Sequence, residues 1–126
     1  MAARILIIDD SPTDTRVFSS VLERNGFAVL TAGSAEDGVD AARRELPDLI
    51  LMDVIMPGMN GFQATRALSR DPVTQHIPII IVSTKNMETD RVWGIRQGAK
   101  DYLVKPPSER ELINRINALL PQGAPS

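Results

Sequence analysis

Five short apolar runs recur along the chain, and longer segments with mixed polar and apolar residues separate them. In each run the apolar residues occupy successive positions, a pattern typical of strands that are covered on both faces in a parallel sheet. Polar residues follow four of the five runs and set the point where those strands stop. The runs predict strands over residues 5–8, 28–32, 49–52, 79–82 and 102–104.

The segments between the runs carry the sequence signals of helix starts and ends. Ser11 stands before Pro12, and Ser34 and Ser108 each stand three residues before an acid, as capping residues do. Gly26 and Gly98 mark the ends of the first and fourth helices. Apolar stripes appear in the first helix (Val17, Phe18, Val21 and Leu22) and in the last (Leu112, Ile113, Ile116, Leu119 and Leu120).

Strand and helix alternate five times, which predicts an α/β fold with a doubly wound, five-stranded parallel sheet and helices on both faces. The fourth helix contains Val92, Trp93 and Ile95, and Trp93 belongs either to the core or to a surface that docks a partner. Residues 1–121 are expected to form one domain, and residues 122–126 are expected to form a short disordered tail.

Composition narrows the chemistry that such a domain can perform. The chain has 126 residues, a net charge of −2, no cysteine and one histidine, His76. These counts exclude disulfide scaffolds, thiolate zinc sites and clusters of histidine ligands, and the acidic balance argues against a nucleic-acid partner. No apolar run is long enough to cross a bilayer, so we expect a cytoplasmic protein with no membrane insertion.

Chemistry-bearing residues follow four of the five predicted strands. They are Asp9, Asp10, Asp53, Ser83, Thr84 and Lys105. A single aspartate after a strand is usually a turn or capping residue. Three carboxylates, two hydroxyls and a lysine at the carboxyl ends of the strands are better explained by one shared site, since ligands bind at that edge of such sheets.

Such a site needs a cation, because carboxylates in contact repel each other. At an effective dielectric constant near 20, two of them about 4 Å apart repel by about 4 kcal/mol. Mg²⁺ suits the site, since it binds a few protein oxygens and keeps several waters. A carboxylate beside Mg²⁺, with a lysine and a hydroxyl opposite, can accept a phosphoryl group, which makes Asp53 the candidate nucleophile. No glycine-rich loop follows the first strand, so a P-loop or dinucleotide site is excluded.

These residues and their neighbours resemble the signature of two-component response-regulator receiver domains. The resemblance rests on Asp9–Asp10, Asp53 with Met56–Gly58, Ser83–Thr84 and Lys105–Pro106, and it extends over residues 4–120. It implies the flavodoxin-like strand order 2-1-3-4-5 and a cis peptide bond before Pro106. It also implies a phosphoacceptor rather than an enzyme, with a sensor histidine kinase as the phosphate donor.

The resemblance assigns roles to the residues that would take part in phosphoryl transfer. Asp53 is the phosphorylation site. Asp9, Asp10, Asp53 and the backbone carbonyl of Ile55 are the expected ligands of Mg²⁺. Lys105 is the cation that contacts the phosphoryl group.

The resemblance also assigns a switch to the residues at the ends of the fourth and fifth strands. Ser83 is the switch hydroxyl, with Thr84 next to it at the site, and Tyr102 is the switch aromatic. Phosphorylation is then expected to draw Ser83 and Lys105 towards the phosphoryl group and to let Tyr102 turn inward. The face formed by the fourth helix, the fifth strand and the fifth helix would change shape for a partner.

Two features favour a narrower group of receivers. The chain has the length of one domain, as stand-alone chemotaxis-type regulators do. Within that group, residues 61–66, 83–85, 92–94 and 100–103 resemble type IV pilus twitching-motility regulators. The expected partners are a chemotaxis-type (CheA-like) sensor histidine kinase and a downstream protein, either the pilus motor or one of its regulators.

Three positions depart from the family pattern. Thr84 stands where many receivers have alanine or glycine, and its extra bulk narrows access to the acyl phosphate. Ile55 is apolar where a polar residue often positions the attacking water, and Pro107 replaces a frequent phenylalanine. The first two departures predict that the phosphorylated form loses its phosphate slowly.

Two other kinds of function fit parts of the pattern. Magnesium phosphatases of the aspartyl-phosphate type also use a nucleophilic aspartate on an α/β sheet. Those enzymes usually place it after the first strand, with a second acid two residues later and a lid domain, and here the first strand ends in adjacent aspartates. The other alternative is a receiver that binds partners without phosphorylation or serves as a phosphate sink.

Overall fold

Strands and helices alternate along residues 2–120, the part of the chain that the computed structural model describes. The strands are β1 (Arg4–Ile8), β2 (Ala28–Ala32), β3 (Leu49–Met52), β4 (Ile79–Ser83) and β5 (Asp101–Val104). The helices are α1 (Pro12–Arg24), α2 (Ala35–Glu45), α3 (Gly61–Arg70), α4 (Glu88–Gln97) and α5 (Glu109–Leu119). Every predicted strand is present, with bounds that differ by at most one residue. The predicted tail over residues 122–126 lies outside the described residues.

The five strands form one parallel sheet in the order β2-β1-β3-β4-β5, which confirms the predicted doubly wound architecture. Ile8 of β1 pairs with Met52 of β3, and the ladder continues one residue further, where the Asp53 N–H donates to the Ile8 carbonyl at 2.9 Å. Since Asp9 follows Ile8 directly, the register brings Asp9 and Asp53 to one level of the same sheet edge.

The pairing of β4 with β5 fixes the other half of this edge. Ser83 pairs with Val104, and the Lys105 N–H donates to the Ser83 carbonyl at 2.8 Å. The peptide bond between Lys105 and Pro106 is cis, as the resemblance implies. Backbone hydrogen bonding therefore places Ser83 and Lys105 at the same edge as the aspartates.

Two apolar layers cover the two faces of the sheet. Ile5 and Ile7 pack with α1 and α5 on one face, whereas Leu6 and Ile8 pack with α2 and α3 on the other. Burial of each such side chain stabilises the fold by about 1.5–3 kcal/mol. The edge strand β2 is the exception, because its residues are only half-buried or exposed. No helix within residues 2–120 is long and apolar enough to span a membrane.

The helix starts confirm the predicted caps. Ser11, Ser34 and Ser108 each accept, through Oγ, the backbone N–H three residues later, at 3.2, 3.1 and 3.0 Å. The sequence analysis missed the cap of α3. There the Asn60 side chain accepts the Gln63 N–H, and the Gln63 side chain accepts the Asn60 N–H, both at 2.9 Å.

The buried stripe of α1 is narrower than predicted. Phe18, Val21 and Leu22 are buried, but Val17 is 54% exposed. Val17 precedes Phe18 by one residue, a rotation of about 100° around the helix axis, which turns it away from the sheet.

Helix α4 forms where it was predicted but buries almost none of its apolar residues. Val92, Trp93 and Ile95 are 44%, 48% and 45% exposed, and Gly94 is the buried residue of this helix. Trp93 therefore lies on the surface and not in the core.

Gly61 provides a test of how closely α3 approaches the end of β3. A Cβ atom at this position would meet the backbone oxygen of Asp53 at 1.9 Å. We therefore expect Gly61→Ala to destabilise the fold by about 1–3 kcal/mol, as overpacking against fixed atoms does. The free energy of unfolding in urea measures the effect.

The matched control is Gly33→Ala, because a Cβ atom at Gly33 meets no atom within 4 Å. This variant should stay within about 0.5 kcal/mol of the original chain. Equal unfolding midpoints for the two variants would contradict the close approach of α3 to Asp53.

Candidate functional site

Three carboxylates meet at the carboxyl edge of β1 and β3. Asp9, Asp10 and Asp53 each offer an oxygen, and these oxygens all lie within 4.8 Å of one another. Asp9 and Asp53 are 4% and 7% exposed, whereas Asp10 is exposed. The structure thus brings together the three aspartates that the sequence analysis selected as metal ligands.

The donor set fits a hard divalent cation such as Mg²⁺. Carboxylate oxygens are the ligands that this ion takes from proteins, and the exposed side of the cluster at Asp10 leaves space for the waters that it keeps. Ile55 lies in the loop two residues after Asp53, and its side chain is 56% exposed. Coordination by the Ile55 carbonyl stays a prediction.

Lys105 provides the positive charge nearest to these carboxylates. Its Nζ donates to Asp9 Oδ2 and to Asp14 Oδ2, both at 2.8 Å, and lies 3.4 Å from Asp53 Oδ1. Burial favours the neutral amine, but the hydrogen bonds to Asp14 and Asp9 and the charge of Asp53 outweigh it and raise the pKa of Lys105. The ammonium is therefore protonated and held beside Asp53.

The Asp53 carboxyl is less acidic than an ordinary aspartate. Its burial and the neighbouring charge of Asp9 raise its pKa to about 6, although Lys105 and the Val54 N–H lower it. At neutral pH the group is mostly ionised, as a nucleophile has to be. The raised pKa shows that burial and the charge of Asp9 together outweigh the ammonium of Lys105.

Asp14 belongs to the site, and the sequence analysis missed it. It lies in the first turn of α1, where an acid has an ordinary explanation in the helix dipole. Its 2.8 Å contact with Lys105 joins α1 to the end of β5. The available signal was the short distance along the chain from Asp9–Asp10 to Asp14, which places all three acids near one strand end.

The end of β4 contributes two hydroxyls with different surroundings. Ser83 is fully buried, and its Oγ accepts the Lys85 N–H at 3.2 Å. Thr84 is exposed, one residue beyond the strand. Both lie at the carboxyl end of β4. Because β4 pairs with β3 and Asp53 directly follows β3, this placement agrees with the predicted positions of the two hydroxyls.

Tyr102 lies inward, beneath the loop that follows β4. The residue is 1% exposed, and its hydroxyl donates to the Lys85 carbonyl at 2.7 Å. Burial raises the pKa of this phenol. The inward position that the resemblance associates with phosphorylation is therefore the one that the structure contains.

Comparisons with known proteins agree with this geometry. The family model described as "Response regulator receiver domain" matches residues 5–117. Protein PilH of Pseudomonas aeruginosa is 58% identical over 118 residues, which cover 94% of this chain and 98% of PilH. Response regulator PleD of Caulobacter vibrioides is 40% identical over 119 residues, which cover 94% of this chain and 26% of PleD.

Solved structures show the same architecture. The chemotaxis protein CheY4 of Vibrio cholerae matches with a TM-score of 0.89 and 28% identity, and the match covers 95% of this chain and 100% of that structure. Receiver domains bind Mg²⁺ at a cluster of aspartates and are generally phosphoacceptors, which agrees with the cluster of Asp9, Asp10 and Asp53. This chain belongs to the response regulator receiver domains and has the CheY-like fold.

Proposed function

We propose that the chain is a single-domain response regulator whose Asp53 accepts a phosphoryl group from a phosphohistidine of a sensor kinase. The observation that carries the proposal is the position of Asp53, which lies within 4.8 Å of the Asp9 and Asp10 carboxylates and 3.4 Å from the Lys105 ammonium. Phosphoryl transfer needs positive charge around the moving group, and a cation site together with a fixed ammonium provides it.

In the proposed reaction, a carboxylate oxygen of Asp53 attacks the phosphorus atom of the donor. The P–O bond to Asp53 forms, the P–N bond to the donor imidazole breaks, and the imidazole leaves with the electron pair. Mg²⁺ held by Asp9, Asp10, Asp53 and the Ile55 carbonyl would supply positive charge to the transferring group. Lys105 binds a phosphoryl oxygen as a second cation.

The donor histidine belongs to another protein. His76 is the single histidine of the chain, and it lies in the exposed segment that leads into β4. That segment is at the amino edge of the parallel sheet, whereas Asp53 follows β3 at the carboxyl edge. A sensor histidine kinase of the chemotaxis type (CheA-like) is the proposed donor, and its use of ATP would locate the reaction in the cytoplasm.

The proposed output is a change in the surface next to the site. The phosphoryl group adds about −1.5 to −2 charges, which would attract Lys105 and the Ser83 hydroxyl. Movement of Ser83 would carry the loop after β4 and so alter the face formed by α4, β5 and α5. Trp93, which is 48% exposed, lies on the side of α4 towards α3, beside Phe62 and Arg66, and is an apolar side chain that α4 offers to a partner.

The similarity to PilH supports a role in type IV pilus twitching motility. The identity of 58% extends over 98% of PilH, so the two proteins correspond in length as well as in sequence. We therefore propose that the downstream target is the pilus motor or one of its regulators.

Asp53→Asn tests the assignment of the acceptor. The amide lacks the nucleophilic oxygen, so the variant is expected to lose all labelling by radioactive acetyl phosphate in the presence of Mg²⁺. Asp40→Asn, at an exposed position of α2, is the matched control and should be labelled like the original chain. EDTA should prevent labelling of Asp40→Asn and of the original chain. Retained labelling of Asp53→Asn would exclude Asp53 as the acceptor.

The pKa of Asp53 predicts how stability depends on pH. Because the pKa is about 6 in the folded chain and about 3.9 in an unfolded one, the folded state binds this proton more tightly. The stabilisation is complete below the lower value and is lost as the pH rises through the higher one. In EDTA at neutral pH, Asp53→Asn should be about 1–2 kcal/mol more stable than the original chain.

Urea denaturation over a range of pH measures this difference. It should shrink as the pH falls through about 5, and Mg²⁺ should stabilise the original chain more than Asp53→Asn. Asp40→Asn again serves as the control and should match the original chain both in its dependence on pH and in its stabilisation by Mg²⁺. A neutral-pH stability of Asp53→Asn no higher than that of the original chain would contradict the raised pKa.

Ile55 and Thr84 predict a long lifetime of the phosphorylated form. The Ile55 side chain lies in the loop after Asp53, is 56% exposed and offers no hydrogen bond to an attacking water. Thr84 is exposed one residue beyond the end of β4. Ile55→Asn and Thr84→Ala are each expected to shorten the lifetime several-fold, as measured by loss of radioactive phosphate. A lifetime of only seconds for the original chain would contradict the prediction.

A further inference from the structure

Tyr102 is the single tyrosine of the chain, and its hydroxyl is tied to the loop that follows β4. The hydroxyl donates to the Lys85 carbonyl at 2.7 Å. Ser83 in turn accepts the Lys85 N–H at 3.2 Å. The ring position and the path of this loop are therefore linked.

Arg91 of α4 holds the same tyrosine from a second direction. Its Nη1 donates to the Tyr102 backbone carbonyl at 3.0 Å, and its Cζ lies 5.6 Å from the centroid of the ring. A guanidinium at this distance is attracted to the face of an aromatic ring, and its hydrogen bond to the carbonyl keeps it there. Arg91 thus contacts both the backbone and the ring of Tyr102.

Gly94, one turn after Arg91, provides the space for the inward ring. A Cβ atom at this position would lie 3.2 Å from Tyr102 Cδ2 and 2.8 Å from Ile81 Cδ1. Any larger residue would therefore press on the ring and on the fully buried Ile81. This explains why α4 has a buried glycine at a position where a helix usually has an apolar side chain.

We propose that Arg91 is a positioning residue that holds Tyr102 inward before phosphorylation, in the space left by Gly94. The proposal rests on the proposed function, because it concerns the switch that Asp53 phosphorylation would drive. The consequence is that the equilibrium between inward and outward positions of the Tyr102 ring already favours the inward one. Phosphorylation then needs to cause a smaller rearrangement of the loop after β4. The face of α4 and β5 is then biased towards its phosphorylated form.

The exposure of Tyr102 tests the proposal directly. Tyrosine labelled in the ring gives one set of NMR signals, because the chain has one tyrosine. A soluble paramagnetic agent relaxes these signals in proportion to the exposure of the ring. The hydrogen bond to the backbone carbonyl does not depend on the ring position, so only the cation–π contact favours the inward ring. Its loss in Arg91→Ala should lower the ratio of inward to outward rings about two- to fivefold, and relaxation should rise accordingly.

The matched control is Arg96→Ala, which removes another exposed arginine of α4 and should leave the ring as protected as in the original chain. Arg91→Lys keeps a cation near the ring and should restore part of the protection. Equal relaxation in Arg91→Ala and Arg96→Ala would overturn the proposal.

Addition of Mg²⁺ and beryllofluoride, a mimic of the phosphoryl group on a carboxylate, separates this proposal from the proposed function. In Arg91→Ala the mimic is expected to return the ring to the protected state. If the two arginine variants differ without the mimic and the mimic has no effect, the role of Arg91 is supported and the role of Asp53 as the acceptor is not. If they do not differ, Arg91 has no positioning role, whatever the mimic does.

Discussion

The repulsion among carboxylates at one edge of the sheet is the constraint on which the rest of this site depends. The parallel register holds Asp9 and Asp53 at the ends of neighbouring strands, so they cannot separate unless the ladder breaks. Lys105 is placed among them and also contacts Asp14, but burial and the charge of Asp9 outweigh its ammonium at Asp53, whose pKa is raised to about 6. The site therefore needs further positive charge, which a divalent cation can supply.

Most of the fold could be predicted from the sequence, because its signals are either local, as helix caps are, or lie in the regular spacing of apolar residues. Buried runs of apolar residues gave the strands, and Ser11, Ser34 and Ser108 gave three helix starts. The resemblance added the strand order, since the runs themselves do not say which strand lies beside which. The exposure of Val17 was not predicted, because the sheet covers only part of the apolar stripe of α1. Packing decides which residues of the stripe are covered.

The site was less predictable wherever it depends on side chains from different elements. Asp9, Asp53 and Lys105 could be found because each follows a strand at the same edge. Asp14 could not, because an acid in the first turn of a helix already has a local explanation and only the three-dimensional structure shows its contact with Lys105. The inward position of Tyr102 depends on Arg91 and Gly94, which no motif connects.

These differences divide the surroundings of Asp53 into a fixed part and an adjustable part. On the side of β3, the backbone of α3 approaches Asp53 so closely that Gly61 has no room for a side chain, and the reciprocal cap of Asn60 and Gln63 fixes the helix start. On the side of β4, helix α4 buries only a glycine and is tied to the sheet through the side chains of Arg91 and Tyr102. Elements with few buried apolar contacts are the ones that open or shift at low cost. Under the proposed function, the phosphoryl group is added between a fixed side at α3 and a loosely packed side at α4. The structure can then adjust to the added group only at α4, and so a change of charge at Asp53 becomes a change of surface.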